Sequence, residues 1–251
     1  MPTSPPLRLA VLSLAYSSWS MRPWLALRHA GASFTTSTAE VELGKRDPRD
    51  PADTAAETSG DRLTSRRALG SVTGLFPVLH VGDTAIHESL AICEWVAETF
   101  PAAGLWPDDR LARARARAVA CEMMSSFTSI RAQLSSHLFG RLPAPLALDD
   151  ATASEVARVF ELWRDALDRS GGPYLFGRFT IADAMYYPMR ARFRTYDVAL
   201  PDDVARYAAA LDATPAVRDL VALARTAPHV PAYDAYLRAL GGEPDAGRAD
   251  D

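Results

Sequence analysis

Three short stretches hold the residues whose types and spacing suit chemistry. Tyr16-Ser17-Ser18-Trp19-Ser20 crowds hydroxyls into a loop between an apolar run, Leu7 to Leu12, and a helix-like segment closed by Gly31. Serines at the mouth of a helix either cap it, accepting a bond from a free backbone N–H, or help to hold an anion, because the same N–H groups and the helix dipole favour negative charge. Glu88-Ser89 repeats the arrangement ahead of a second helical stripe, Leu90, Cys93, Val96 and Phe100. From the residues alone, plain N-capping is the reading for this pair. Thr180-Ile181-Ala182-Asp183 has the spacing of a capping box, which marks the start of a helix and nothing more. Cys93 and Cys121 show no metal-ligand spacing. Two thiols without a framework are expected to be buried, inert cysteines in a reducing cytoplasm.

The elements that must position these groups follow from periodicity. Leu7 to Leu12 reads as a strand, and Ser20 to His29 as a helix with Pro23 in its first turn, where the missing N–H has no partner to lose. A second strand is expected within Ala32 to Leu43. Gly44 to Gly70 is polar and carries Pro48 and Pro51, so it reads as a surface loop with one short helix at Arg62 to Leu69. Two apolar runs, Phe76 to Val81 and Thr84 to His87, flank Gly82-Asp83 and predict a β-hairpin, with Pro77 at a position needing no ladder donor. Beyond Trp106 no strand is expected. Asp109 to Phe139 reads as one long helix, and Ser154 or Thr152 opens the next, with Val156, Val159, Phe160, Trp163 and Leu167 facing a core. Shorter helices are expected at Asp202 to Leu211, Ala216 to Arg225 behind Thr214 and Pro215, and Tyr233 to Leu240; residues 241–251 are expected to fray.

The bulk properties set limits on these readings. A chain of 251 residues can bury a sizeable core in one or two domains. A net charge of −4 gives no basic field for a nucleic-acid partner, and no apolar run approaches the ~20 residues that span a bilayer. The start, Met1 to Pro6, lacks a basic region before its short apolar stretch, which argues against a secretion signal and for a cytoplasmic protein. The Arg-Ala alternation through Arg110, Arg113 and Arg117 reads as a solvated helix face.

In this order the elements form a small α/β domain, residues 1–104, followed by an all-helical one, residues 105–240. With Ser17-Ser18-Trp19-Ser20-Met21-Arg22, Phe76-Pro77-Val78-Leu79, Glu88-Ser89-Leu90-Ala91-Ile92 and Phe179-Thr180-Ile181-Ala182-Asp183-Ala184 at their respective places, the chain resembles the glutathione S-transferase superfamily. The resemblance implies a thioredoxin-like βαβ-ββα domain followed by a helical bundle. It implies a cis peptide before Pro77, backbone pairing of Phe76 with the cysteinyl unit of glutathione, and binding of the γ-glutamyl end by Glu88 and Ser89. Ser17 takes the catalytic place, with Ser18 as its close rival and Tyr16 a more distant one; its hydroxyl would stabilise the thiolate rather than attack. A serine there argues against disulfide exchange. Glutathione is thus the expected co-substrate, with no metal, and a small hydrophobic electrophile the second partner. Trp19, Met123, Met124, Phe127 and Tyr187 are the candidates for its pocket. Leu75 stands where many relatives are basic, and the cation for the glycyl carboxylate falls among Lys45, Arg46, Arg66 and Arg67. The resemblance also implies a homodimer. A non-catalytic glutathione- or ligand-binding protein, or an interaction scaffold, on the same fold is the competing expectation.

Overall fold

Leu7–Val11 (β1) is flanked by strands on both sides and covered on both faces: Leu9 and Val11 join the main core, while Ala10 on the opposite face packs with Ala39, Phe76 and Val78, so all three are fully buried. In the computed structural model, which describes residues 5–39, 64 and 66–248, β1 pairs in parallel with Phe34–Thr38 (β2) and antiparallel with Val78–Val81 (β3). Thr84–His87 (β4) completes the hairpin, and the sheet order is β2-β1-β3-β4. Gly82 supplies the turn with a φ of +56°. The peptide bond between Phe76 and Pro77 is cis. Ser18–His29 (α1) and Ser89–Thr99 (α2) pack on the sheet.

The helical part begins after a short 3-10 turn at Pro101–Ala103. It comprises Arg110–Ser125 (α3), Thr128–Gln133 (α4), Asp150–Ser170 (α5), Ile181–Thr195 (α6), Asp202–Asp212 (α7), Pro215–Ala224 (α8) and Pro231–Ala239 (α9). Its centre is Trp163, fully buried, with edge-to-face or tilted contacts to Phe160, Tyr186, Phe193 and Tyr207 at centroid separations of 5.1–6.0 Å. The capping box is formed: Asp183 accepts from the Thr180 amide at 2.8 Å and from its hydroxyl at 2.9 Å, and also from the Leu175 amide at 3.1 Å.

Four expectations need correction. Residues 109–139 are two helices, because Phe127 takes a left-handed conformation with φ +63° between α3 and α4. Glu155, from α5, accepts from the Ser129 and Ile130 amides at 3.2 and 2.8 Å and so caps α4 from across the bundle. The first helix starts at Ser18 rather than Ser20, so Pro23 lies inside it rather than in its first turn. Asp149 caps α5, not Ser154 or Thr152, through the Thr152 amide at 2.7 Å. The segment expected to fray from residue 241 is docked as far as 248. Arg141 and Glu243 exchange backbone bonds at 3.0 and 2.9 Å, the Gly247 amide donates to the Phe139 carbonyl at 2.8 Å, and Arg248 donates to the Arg225 carbonyl at 2.6 Å. Of the polar segment at 44–70, only residues 64 and 66–70 lie among those described.

Candidate active site

The first serine is held by the end of β1. The Ser17 amide donates to the Ser13 carbonyl at 2.7 Å, which turns the chain and leaves Ser17 as the N-cap of α1 with extended backbone, φ −85°. Its Oγ accepts from the Ser20 amide at 3.3 Å and lies 2.9 Å from Ser20 Oγ. Ser20 Oγ is fully buried and accepts from the Leu12 amide at 3.1 Å. A hydroxyl has one proton and two lone pairs. With Ser20 donating to Ser17, both lone pairs of Ser17 are filled by amide and hydroxyl, and its own proton is left to donate outward. Leu12 N–H, Ser20 O–H and Ser17 O–H then form one polarised chain ending at the start of a helix. Ser17 is partly exposed. Ser18 is buried, with its Oγ 3.5 Å from Arg192 Nη2. The Tyr16 hydroxyl donates to Asp234 at 2.8 Å, and burial together with that carboxylate raises its pKa strongly, so it is committed to the far helix.

The second cluster departs from plain capping. Glu88 precedes α2 with a φ of +69°, unusual for a residue with a side chain, and its carboxylate makes no capping bond. Ser89 is fully buried, and its Oγ has no hydrogen-bond partner. A buried hydroxyl and the free amides of a helix start are thus left for something else to satisfy.

Glu88 and Ser89 line a cleft of about 230 Å³ together with Trp19, Thr73, Leu75, Phe76, Pro77 and His87. The loop entering it is tied down by Arg66 Nη1 donating to the Gly74 carbonyl at 2.9 Å and Ser71 Oγ to the Leu75 carbonyl at 2.6 Å. Arg66 is buried and bonds the loop through Nη1, Arg67 is exposed, and Lys45 and Arg46 lie outside the described residues. The structure thus brings together Trp19, Phe76, Pro77, Glu88 and Ser89, whereas Ser17 and Ser18 are not among the residues that line this cleft. The rest of the expected acceptor pocket does not reach this cleft. Met123, Phe127 and Tyr187 are core residues, 2%, 3% and 0% exposed, and Met124 packs partly buried against the same core. Apolar residues at helical spacing filled the bundle, the usual outcome for such a stripe. Sequence reasoning missed Thr73, Leu75 and His87 as lining residues; their one signal was adjacency to Phe76-Pro77 and Glu88. Cys93, fully buried, has its thiol pushed up to about 12 by desolvation, partly offset by the Arg22 charge, so it stays protonated and unreactive, whereas Cys121, expected to be buried as well, is exposed on α3. Among the described residues no group of three or more His, Cys, Asp or Glu is arranged to hold a metal ion, and no helix is long and apolar enough to cross a membrane.

A mixed four-stranded sheet with a cis-proline cleft, followed by an all-helical part, defines a thioredoxin-like domain joined to a helical bundle. The family model "Glutathione S-transferase, N-terminal domain" matches residues 16–99, and "Glutathione S-transferase, C-terminal domain" matches residues 147–222. The chain belongs to the glutathione S-transferase superfamily. It is 26% identical over 160 residues, 61% of this chain and 71% of the relative, to a probable maleylacetoacetate isomerase from Vibrio cholerae serotype O1. Among solved structures, a glutathione transferase homologue from Burkholderia GL BGR1 with bound glutathione superposes with a TM-score of 0.61 at 25% identity, covering 89% of this chain and 99% of that one. The Tau class enzyme MiGSTU from mango, Mangifera indica, reaches the same TM-score at 20% identity over 94% of this chain and 98% of that one, and shares the fold.

Proposed function

We propose that this chain binds glutathione in the cleft before α2, holds its sulfur as a thiolate against the Ser17 hydroxyl, and either conjugates it to a small electrophile or uses it transiently in an isomerisation. The observation that carries the reading is the Leu12–Ser20–Ser17 hydrogen-bond chain at a helix N-terminus, which frees the Ser17 proton for a thiolate in the orientation where Ser20 donates to Ser17. The unsatisfied Ser89 hydroxyl and uncapped Glu88 supply complementary ends for the γ-glutamyl carboxylate and ammonium group. The hydroxyl stabilises charge and the attacking atom belongs to the ligand. The names of the relatives support both outcomes, transfer and isomerisation.

A soluble homodimer working in the cytoplasm accompanies this reading, and light scattering on the purified chain tests the dimer. The catalytic claim is tested by turnover of glutathione with halogenated, epoxide and unsaturated-carbonyl acceptors, wild type against Ser17→Ala. Glutathione binding without turnover of any acceptor would favour a ligand-binding protein on the same fold.

A further inference from the structure

Behind Trp19 three arginines gather with no side-chain bond to a carboxylate among the described residues. Arg22, one turn further along α1, places its guanidinium carbon 4.2 Å from the Trp19 ring centroid, and Arg131 of α4 places its own 5.0 Å from the same ring. Arg192 of α6 reaches Ser18 Oγ from the bundle side and donates to the Leu134 carbonyl. Arg131 donates to the Ser126 and Met123 carbonyls, at 3.2 and 2.5 Å. Arg22 is fully buried, and all three of its side-chain nitrogens lack a hydrogen-bond partner. The Tyr186 hydroxyl, close enough to feel the charges of Arg22 and Arg131, is buried and unpaired as well. Glu155, whose charge reaches Arg131, accepts one amide of α4 on each oxygen.

A buried guanidinium presents five N–H donors and is strongly unfavourable when none is met. Stacking on an indole face offsets part of that cost but supplies no acceptor. Burial, followed by the charges of Arg131 and Arg192, lowers the Arg22 pKa to about 9, which still leaves it cationic at neutral pH. What the cluster lacks is a planar anion with several acceptor atoms. Trp19 is shared between this cluster and the glutathione cleft.

We propose that Arg22, Arg131 and Arg192 receive a carboxylate carried by the acceptor, so that this protein selects anionic electrophiles over neutral ones. The proposal rests on the glutathione reading above and adds the substrate class to it. Guanidinium–carboxylate recognition is bidentate and directional, so it orients the electrophile as well as attracting it.

The test compares 4-chloro-3,5-dinitrobenzoate with its methyl ester. In both, the glutathione thiolate forms a sulfur–carbon bond at the ring carbon bearing chlorine, and that carbon–chlorine bond breaks with its electron pair leaving as chloride. The ester group withdraws electrons more strongly, so each rate is divided by its uncatalysed rate with glutathione. One charge-assisted pair predicts a wild-type kcat/KM ratio favouring the carboxylate by about tenfold or more. Arg131→Gln, a partly exposed position, moves the ratio towards one, chiefly through the KM of the carboxylate, and Arg192→Gln serves if that variant misfolds. A wild-type ratio of one or less, or a ratio unmoved in the folded variant, overturns the proposal. Where neither acceptor turns over and calorimetry finds no glutathione bound, the glutathione reading has failed. Calorimetry of the protein alone with 4-nitrobenzoate and 4-nitrobenzamide then tests the arginine site by itself. Tighter binding of the carboxylate by about tenfold, lost in Arg131→Gln, supports the site; equal binding overturns it. Displacement of 4-nitrobenzoate by an equal concentration of sodium sulfate assigns the cluster to inorganic anions and overturns the claim about the acceptor.

Discussion

Removing one oxygen atom, in Ser17→Ala, should return most of the acidity of bound glutathione to its solution value. A free thiol titrates at about 8.5. One hydrogen bond to an ionised acceptor contributes ~1.5–3 kcal/mol, and at 1.36 kcal/mol per pH unit this lowers the thiol pKa by about 1–2 units. The amino end of α1 adds ~0.3–1 kcal/mol, less than one further unit. With Ser20 donating to Ser17, the chain from Leu12 polarises the Ser17 hydroxyl and favours the upper part of that range. Wild type is therefore expected to hold a thiol titrating near 6–7, and Ser17→Ala one near 8. Ser20→Ala should fall between, since it keeps the donor and removes its polarising neighbour. The assay is ultraviolet absorbance of the thiolate against pH with glutathione saturating. Ser17→Ala also loses the cap accepted from the Ser20 amide, about 1 kcal/mol of stability, too little to unfold a domain of this size. A wild-type thiol still titrating near 8.5, or a Ser18→Ala variant producing the loss in place of Ser17→Ala, would refute the reasoning.

Other perturbations have equally definite expectations. Glu88→Gln removes the charge opposing the ligand ammonium group and should weaken glutathione about tenfold or more by calorimetry while leaving the urea midpoint nearly unchanged. Asp183→Ala strips three hydrogen bonds from a fully buried carboxylate and should cost about 2–4 kcal/mol in urea unfolding. Burial lowers the pKa of His137 despite its bond to Asp234, and lowers that of His29 too, so the unfolded chain binds more protons just below about pH 6.5. Their stabilising contribution is present above that value and fades as pH falls through the lower folded values. Asp183, raised to about 6 by burial, acts in the opposite sense as pH rises towards that value. The difference in urea stability between wild type and His137→Gln isolates the histidine, and it should shrink on acidification; a constant difference contradicts the assignment.

Local signals carried most of the fold. The Gly82-Asp83 turn and the Thr180–Asp183 box can be read directly because their chemistry is complete within four residues, and Pro215 marks the start of α8 although the Thr214 hydroxyl makes no capping bond and pairs with Ala210 and Tyr174 instead. The break at Ser126 and Phe127 was not legible, since Met123, Phe127, Ile130 and Leu134 keep helical spacing straight through it. What ends α3 and starts α4 arrives from elsewhere: Arg131 on the Met123 and Ser126 carbonyls, and Glu155 on the amides of α4. The docked stretch at 241–248 is likewise held by backbone partners at Arg141 and Phe139, which a polar, glycine-containing sequence does not announce. At the site, Glu88-Ser89 and Phe76-Pro77 were found from sequence because neighbours in the chain remain neighbours in the cleft. The acceptor residues were not: a methionine or tyrosine bound for the core has the same spacing as one bound for a pocket, and the arginine cluster draws on three helices far apart in the sequence.

The most direct test is a crystal structure of the protein soaked with glutathione. The γ-glutamyl end should lie on Glu88 and Ser89, the cysteinyl backbone against Phe76, and the sulfur within hydrogen-bond reach of Ser17 Oγ. A sulfur resting on any other side chain, or a cleft that stays unfilled at saturating ligand, contradicts the account.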